Sequence, residues 1–252
     1  MQTQIDFGYP WWVSYGQLAV LAVVLPIWLL GVSRKWPKAW LVLIGAVVVW
    51  ALAASLDARF NLNPNERAAL PTQSFLASGA GKVLDMGAGT GRSTLMVLEA
   101  RPQSTVVALD LFGKSYDQHF GAGQNGEERL LANLRVAGVE KRATIQVGDM
   151  TKLPFEAASF DGVVSCYAVD HLRREGVKSA LSEAGRVLRP GGEFLLMVIS
   201  KDLWLRVALG PLLLHSGMRG PEGWTSLLRE AGFQLVEQGR QPATLYFLGR
   251  KQ

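Results

Sequence analysis

Apolar positions along the chain fall into two regimes. From Phe7 to Ser33, and again from Ala39 to Leu56, no residue carries a charge. The two apolar blocks run from about Trp11 to Val32 and from Ala39 to Leu56, 22 and 18 residues. A helix of about 20 residues crosses a hydrocarbon core of about 30 Å. The pattern therefore predicts a pair of membrane helices, joined by the basic link Ser33-Arg34-Lys35-Trp36-Pro37-Lys38. Pro26 sits inside the first block, where a membrane helix tolerates a kink if neighbours re-satisfy the freed carbonyl. Six of the eight tryptophans lie in this region, and Trp11, Trp12, Trp36 and Trp40 mark block edges, where amphipathic rings prefer the headgroup level. A cleaved signal peptide fits poorly: Asp6 is the only charge before residue 34, and no small-residue cleavage site follows the first block. A buried soluble hairpin is disfavoured by the length of the uncharged run.

From about Asn63 short apolar runs alternate with amphipathic stretches, the pattern of a parallel sheet covered on both faces. Strands are expected at Lys82–Met86, Thr105–Asp110, Ala143–Gly148, Phe160–Cys166, Glu193–Ile199, Phe233–Glu237 and Thr244–Gly249, the last two mutually antiparallel because their link is short. Helices are expected from near Arg92, at Glu127–Val136, Lys178–Leu188 and Trp224–Ala231, and a leading helix over Asn65–Ala77, interrupted by Pro71. The expected fold is α/β, a doubly wound, seven-stranded, mostly parallel, Rossmann-like sheet preceded by two hydrophobic helices. The division is an anchor over 1–60, with helices at about 11–32 and 39–56, and an α/β domain over 61–252.

Composition adds limits. The chain has 252 residues, 49% hydrophobic and 19% charged, which excludes a disordered chain. A mean hydropathy of +0.16 is high for a soluble enzyme, and the excess is local to the first sixty residues. One cysteine excludes a disulfide framework and a cysteine-based metal cage, so no metal site is expected. A net charge of +5 without a dense basic stripe suits an anionic membrane surface and is poor support for nucleic acid.

The chemistry concentrates after the first strand, in Asp85-Met86-Gly87-Ala88-Gly89-Thr90-Gly91-Arg92-Ser93. Glycines at a strand's carboxyl end permit unusual backbone angles and let a ligand approach the main chain beside a helix N-terminus. The spacing differs from the dinucleotide fingerprint, which disfavours a nicotinamide oxidoreductase; a plain tight turn satisfies the same residues. Asp110 closes the second strand 19 residues after Gly91, where an acidic side chain can accept from both ribose hydroxyls of an adenosine ligand or simply cap a loop. Asp149 follows the third strand in Gly148-Asp149-Met150, placed to accept from an adenine amino group while Met150 and Leu111 bracket the ring.

These residues, with Leu153-Pro154-Phe155, Ser159-Phe160-Asp161 and Val187-Leu188-Arg189-Pro190-Gly191-Gly192, make residues 64 to 250 resemble the class I S-adenosylmethionine-dependent methyltransferases. The last two stretches resemble the branch containing ubiquinone/menaquinone C-methyltransferases and many small-molecule methyltransferases. The resemblance implies S-adenosylmethionine as cofactor, cradled by Gly87, Gly89 and Gly91. Asp85 would hold its amino-acid part, Asp110 its ribose, and Asp149 and Met150 its adenine, with Leu111 and Cys166 completing the cofactor wall.

Methyl transfer from a sulfonium is an in-line displacement that demands alignment, close approach and exclusion of water; a base is needed only when the nucleophile carries a proton. Ser165-Cys166-Tyr167-Ala168-Val169-Asp170-His171 follows the fourth strand, where such groups belong. His171 is the expected base, with Asp170 and Tyr167 orienting; a helix-capping histidine is the plain alternative. Cys166 alone does not serve an arsenite acceptor, and the Asn/Asp-Pro-Pro-Tyr/Phe motif of amine methylation is absent. Tyr116 and His119 lie in a glycine-bearing loop that could cover the acceptor, and the apolar stretch Lys201–Met218 should shield a greasy acceptor, touch the bilayer, or fill the core.

The expected function is a membrane-anchored methyltransferase acting on a small lipophilic acceptor: a quinone-like ring, lipid or hydrophobic thiol. The alternative is a catalytically silent, membrane-tethered scaffold. A hairpin returns the chain to its starting side. Arg34, Lys35 and Lys38 in the link against Arg59 and Arg67 beyond it would place the link in the cytoplasm. The cytosolic origin of the cofactor argues the opposite, so a cytoplasmic domain is expected against the charge count. Helices lying flat in the interface would remove the conflict.

Overall fold

The computed structural model describes residues 3–62, 65–113, 125–200, 202–209 and 219–252. They form two compact units, each discontinuous in sequence, where the apolar pattern suggests a single boundary after residue 60. Residues 3–8, 65–200 and 219–252 build one unit; 9–62 and 202–209 build the other.

In the hairpin unit, α1 (Trp11–Ser33) and α2 (Lys38–Asp57) end within one residue of the apolar blocks. Both are long and apolar enough to cross a membrane. Neither has a polar face, and a helix apolar all round belongs in a protein core or in lipid. Val23, Leu29, Val42 and Val49 are exposed, which leaves lipid as the matching solvent. The helices pair through small residues. The Trp28 indole N–H donates to the Leu41 carbonyl at 2.9 Å, its ring lies against Gly45, and Gly31 faces Trp36 and Leu41. One π-helical turn, Ala58–Leu62, extends α2.

The other unit is an α/β sheet. Its elements are β1 (Ala80–Met86), α3 (Arg92–Ala100), β2 (Gln103–Asp110), α4 (Gly126–Val136), β3 (Ala143–Val147), β4 (Phe160–Cys166), α5 (Arg174–Val187) and β5 (Leu188–Ile199). The chain then visits the hairpin unit as α6 (Leu203–Leu209) and returns as α7 (Pro221–Glu230), β6 (Phe233–Gln241) and β7 (Thr244–Lys251). The strand order is β3-β2-β1-β4-β5-β7-β6, with β7 antiparallel to both β5 and β6. The order reverses between β1 and β4, and ligands of open α/β sheets bind at the carboxyl ends beside such a reversal. Helical spacing sets the core: α5 buries Val177, Ala180, Leu181, Ala184 and Val187, while α7 buries Trp224, Leu227 and Leu228.

Two expectations are corrected. Asn65–Ala77 is not a helix. Pro71 offers no N–H and pushes Leu70 toward extended backbone, and the Arg101 guanidinium takes the Phe75 and Gln73 carbonyls as acceptors at 2.8 and 2.9 Å. Leu188-Arg189-Pro190-Gly191-Gly192 lies inside β5 rather than before it: Leu188 pairs with Phe160 and Glu193 with Gly162, so the stretch is a bulge with Gly191 in the left-handed region.

Candidate active site

Asp85, one residue before the end of β1, is fully buried, and two hydroxyls at the start of α3 satisfy one of its oxygens. Ser93 and Thr94 donate to Oδ2 at 2.7 and 2.6 Å. The other oxygen, Oδ1, is buried without a hydrogen-bond partner. Burial raises the carboxyl's pKa to about 6, the two hydroxyl bonds opposing the rise and the charge of Asp110 adding to it. A buried acceptor atom left over beneath a glycine loop is a vacant half of an interaction, and an ammonium group complements it.

All three glycines of the loop have positive φ: 81° at Gly87, 52° at Gly89 and 92° at Gly91, which starts α3. The room their missing side chains vacate is partly taken by protein. A Cβ on Gly87 would lie 2.3 Å from the Ala168 methyl and 2.9 Å from Met150 Cε, and one on Gly91 would lie 2.3 Å from Leu130 Cδ1. These two glycines thus let neighbouring elements close on the loop, a use beyond the expected approach of a ligand. The N–H groups of Gly87 and Ala88 donate to Leu109, and Gly89 N–H donates to Asp110 Oδ2 at 2.8 Å. Asp110 therefore braces the loop while closing β2. Burial raises its pKa against the bonds from Gly89 and Phe112.

The remaining expected residues gather at the same sheet edge in different states. Leu111 is half exposed after β2. Asp149 is exposed and accepts from the Thr151 N–H and hydroxyl at 2.7 and 2.8 Å, an Asx turn that aims the following Met150 at Gly87. Cys166 ends β4 with its sulfur 3.4 Å from Met197 Sδ; burial, then the charge of Asp85, pushes its thiol well up, so the thiol is neutral at neutral pH. Tyr167 holds a left-handed backbone at φ 54°, and its hydroxyl lies 2.5 Å from Thr244 Oγ1 on β7. Asp170 is buried and accepts from Ile199 N–H at 3.4 Å, which ties the turn after β4 to the end of β5. His171 sits half buried in the 3-10 turn Val169–His171. Tyr116 and His119 lie outside the described residues.

Sequence reasoning missed two groups. Ser93 and Thr94, which hold Asp85, are the hydroxyl residues a helix start favours, a legible signal left unread. The second group is the chain's own beginning. Phe7 is buried, and its carbonyl accepts from Thr90 Oγ1 in the glycine loop at 3.0 Å. Asn133 on α4 accepts from Asp6 N–H at 2.9 Å and donates to the Asp6 and Thr90 carbonyls, both at 2.9 Å, while Arg129 pairs with the Asp6 carboxylate. Only the isolated charge of Asp6 ahead of a long uncharged run hinted at this clasp.

The sheet order, its antiparallel strand β7 and a glycine loop over a buried acid define a Rossmann-like methyltransferase. Residues 83–192 match the family model described as a methyltransferase domain. An uncharacterized methyltransferase of Synechocystis is 30% identical over 200 residues, covering 75% of this chain and 84% of that protein. The chain belongs to the class I S-adenosylmethionine-dependent methyltransferases. It is related to the ubiquinone/menaquinone biosynthesis C-methyltransferases: that of Rhizobium etli is 34% identical over 181 residues, 62% of this chain and 65% of the relative, and that of Dinoroseobacter shibae is 29% identical, 63% and 68%. The chain thus spans about two thirds of the length of these curated relatives. Among solved structures, a Burkholderia thailandensis 1,6-didemethyltoxoflavin N1-methyltransferase aligns with a TM-score of 0.52 at 24% identity, over 68% of this chain and 71% of that one. An O-methyltransferase family 2 protein of Planctomyces limnophilus aligns with a TM-score of 0.57 at 18% identity, over 92% and 62%. Both likenesses concern the fold.

Proposed function

We propose that this chain is a membrane-associated enzyme that moves a methyl group from S-adenosylmethionine to a small, quinone-like or otherwise lipophilic acceptor reaching it from the bilayer. The observation that carries the cofactor reading is Asp85 Oδ1, a buried acceptor atom without a partner beneath the glycine loop. When bound, S-adenosylmethionine supplies an electrophilic methyl group on a sulfonium. Asp85 would accept from its ammonium, Asp110 from the ribose hydroxyls, and Asp149 from the adenine amino group, with Met150, Leu111 and Cys166 against the rings. Gly87, Gly89 and Gly91 keep the main chain open to it. His171 would take a proton from an acceptor that carries one, oriented by the turn that Asp170 ties to β5, while Tyr167 shapes the wall from the end of β4. The apolar hairpin and the kinship with quinone C-methyltransferases support a lipophilic acceptor. On this reading the domain faces the cytoplasm, where the cofactor is made.

Calorimetry with S-adenosylhomocysteine in detergent tests the reading. Binding is expected for the native chain and at least about tenfold weaker for Asp110→Ala and Gly89→Val, given about 1.4 kcal/mol per tenfold and the cost of a lost charged hydrogen bond. No binding, or binding indifferent to both variants, overturns it. Turnover against quinols, phenols and thiols then identifies the acceptor class, and His171→Ala should abolish methyl transfer to protonated acceptors while leaving binding intact.

A further inference from the structure

The short helix α6 belongs to the same compact unit as the hairpin, although it lies far along the chain. The Trp50 indole N–H, on α2, donates to the Val207 carbonyl of α6 at 3.1 Å. At an aqueous surface water would satisfy that indole N–H; in hydrocarbon a donor without an acceptor is costly, and a carbonyl of a neighbouring membrane helix satisfies it. The side chains agree. Leu203, Trp204 and Val207 are 75%, 43% and 50% exposed, while Leu205 and Ala208 face inward. Arg206, also exposed, is the only charge in the helix. Depth agrees as well. Trp50 precedes the end of α2 at Asp57 by seven residues, about 10 Å of helix axis. An amphipathic helix rests about 5–10 Å into the boundary between headgroups and acyl chains.

We propose that α6 is a third lipid-embedded element, lying in the leaflet from which α2 leads to the α/β unit, with Leu203, Trp204 and Val207 among the acyl chains and Arg206 reaching the headgroups. The proposal rests on the hairpin spanning the bilayer. Its consequence is that the connection leaving β5 is itself held by lipid. α6 starts four residues after β5 ends, so the chain beside the carboxyl edge of the sheet is tethered to the phase in which a lipophilic acceptor dissolves.

Single cysteines in a Cys166→Ala background test this in lipid vesicles. A bimane label on Leu203→Cys is compared with one on Val49→Cys, exposed on α2 beside Trp50, and one on Glu222→Cys, exposed on α7. Nitroxide-bearing lipids should quench the label at 203 about as strongly as at 49, and iodide should quench it several-fold less than at 222. Trp50→Phe should raise iodide quenching at 203 by about twofold or more and leave 49 unchanged; no change at 203 overturns the part given to that bond. A label at 203 quenched by iodide as at 222, with 49 quenched by lipid, overturns the placement of α6 and spares the hairpin. A label at 49 open to iodide overturns both. Binding of S-adenosylhomocysteine, read on the native chain with Cys166 in place, reports separately on the proposed cofactor.

Discussion

Asp85 shows most directly how burial and chemistry are linked in this protein. With its pKa raised from 3.8 to about 6, the folded chain keeps a proton that the unfolded chain releases between those values. Its contribution to stability is therefore fully present below pH 3.8 and lost as pH rises through about 6. The loss is about 3 kcal/mol, at about 1.36 kcal/mol per pH unit between the two values. In the ligand-free protein the unfolding midpoint in detergent should fall between about pH 4 and 6, and Asp85→Asn should flatten that slope. A cationic partner reverses the preference, because it stabilises the charged carboxylate. Affinity for S-adenosylhomocysteine should rise over the same range with release of a proton, which calorimetry in two buffers of different ionisation enthalpy measures. Gly87 makes the steric counterpart. An alanine there would combine a φ of 81° with a Cβ 2.3 Å from the Ala168 methyl, so Gly87→Ala should cost about 2–4 kcal/mol of stability, read by chemical unfolding.

At the scale of elements, the clasp of residues 6 and 7 on α4 and the glycine loop ties the chain's beginning to the site. Asn133 is fully buried and serves three backbone groups at once. Asn133→Ala would leave those groups unpaired, at about 1–3 kcal/mol each where burial persists. The expected outcome is early proteolytic release of the residues before α1, weaker binding of S-adenosylhomocysteine, and a loss of stability of about 2–4 kcal/mol. Binding and proteolysis like those of the native chain would show that the clasp carries no energy. The strands themselves were legible, because alternating apolar runs and turn residues reveal each one locally. The segment over 65–77 was not: a leading helix interrupted by Pro71 is expected there, while Pro71 and the distant Arg101 decide its course. The bulge in β5 was hidden for a related reason, since Pro190 and Gly191 read as a turn unless the pairing of Leu188 with Phe160 is known.

For the whole molecule, the hairpin and the clasp constrain each other. Residues 3–8 and the sheet residues that follow the hairpin from 65 to 200 belong to one compact unit, so the two ends of the hairpin must emerge on one side of any membrane it crosses. Protease added to sealed vesicles should therefore either reach both the segment before α1 and the α/β unit, or neither. Cleavage of one alone is incompatible with a spanning hairpin. The same experiment in vesicles of known sidedness decides between the cofactor argument, which puts the domain in the cytoplasm, and the charges of Arg34, Lys35 and Lys38, which put the link there.

Local order was written in the sequence: two uncharged blocks of membrane length, seven strands, the glycine loop, and acids at strand ends. Each depends on neighbours within a few residues, through hydropathy, periodicity and backbone freedom. Tertiary structure decided what those residues meet. It brought Ser93 and Thr94 to one oxygen of Asp85 and left the other open, set Asp110 to bracing the loop, and folded Asp6 and Phe7 onto it. It also drew α6 into the hairpin unit. Such partners lie from eight to more than a hundred residues away, and only the packed sheet, which fixes strand order and register, selects them.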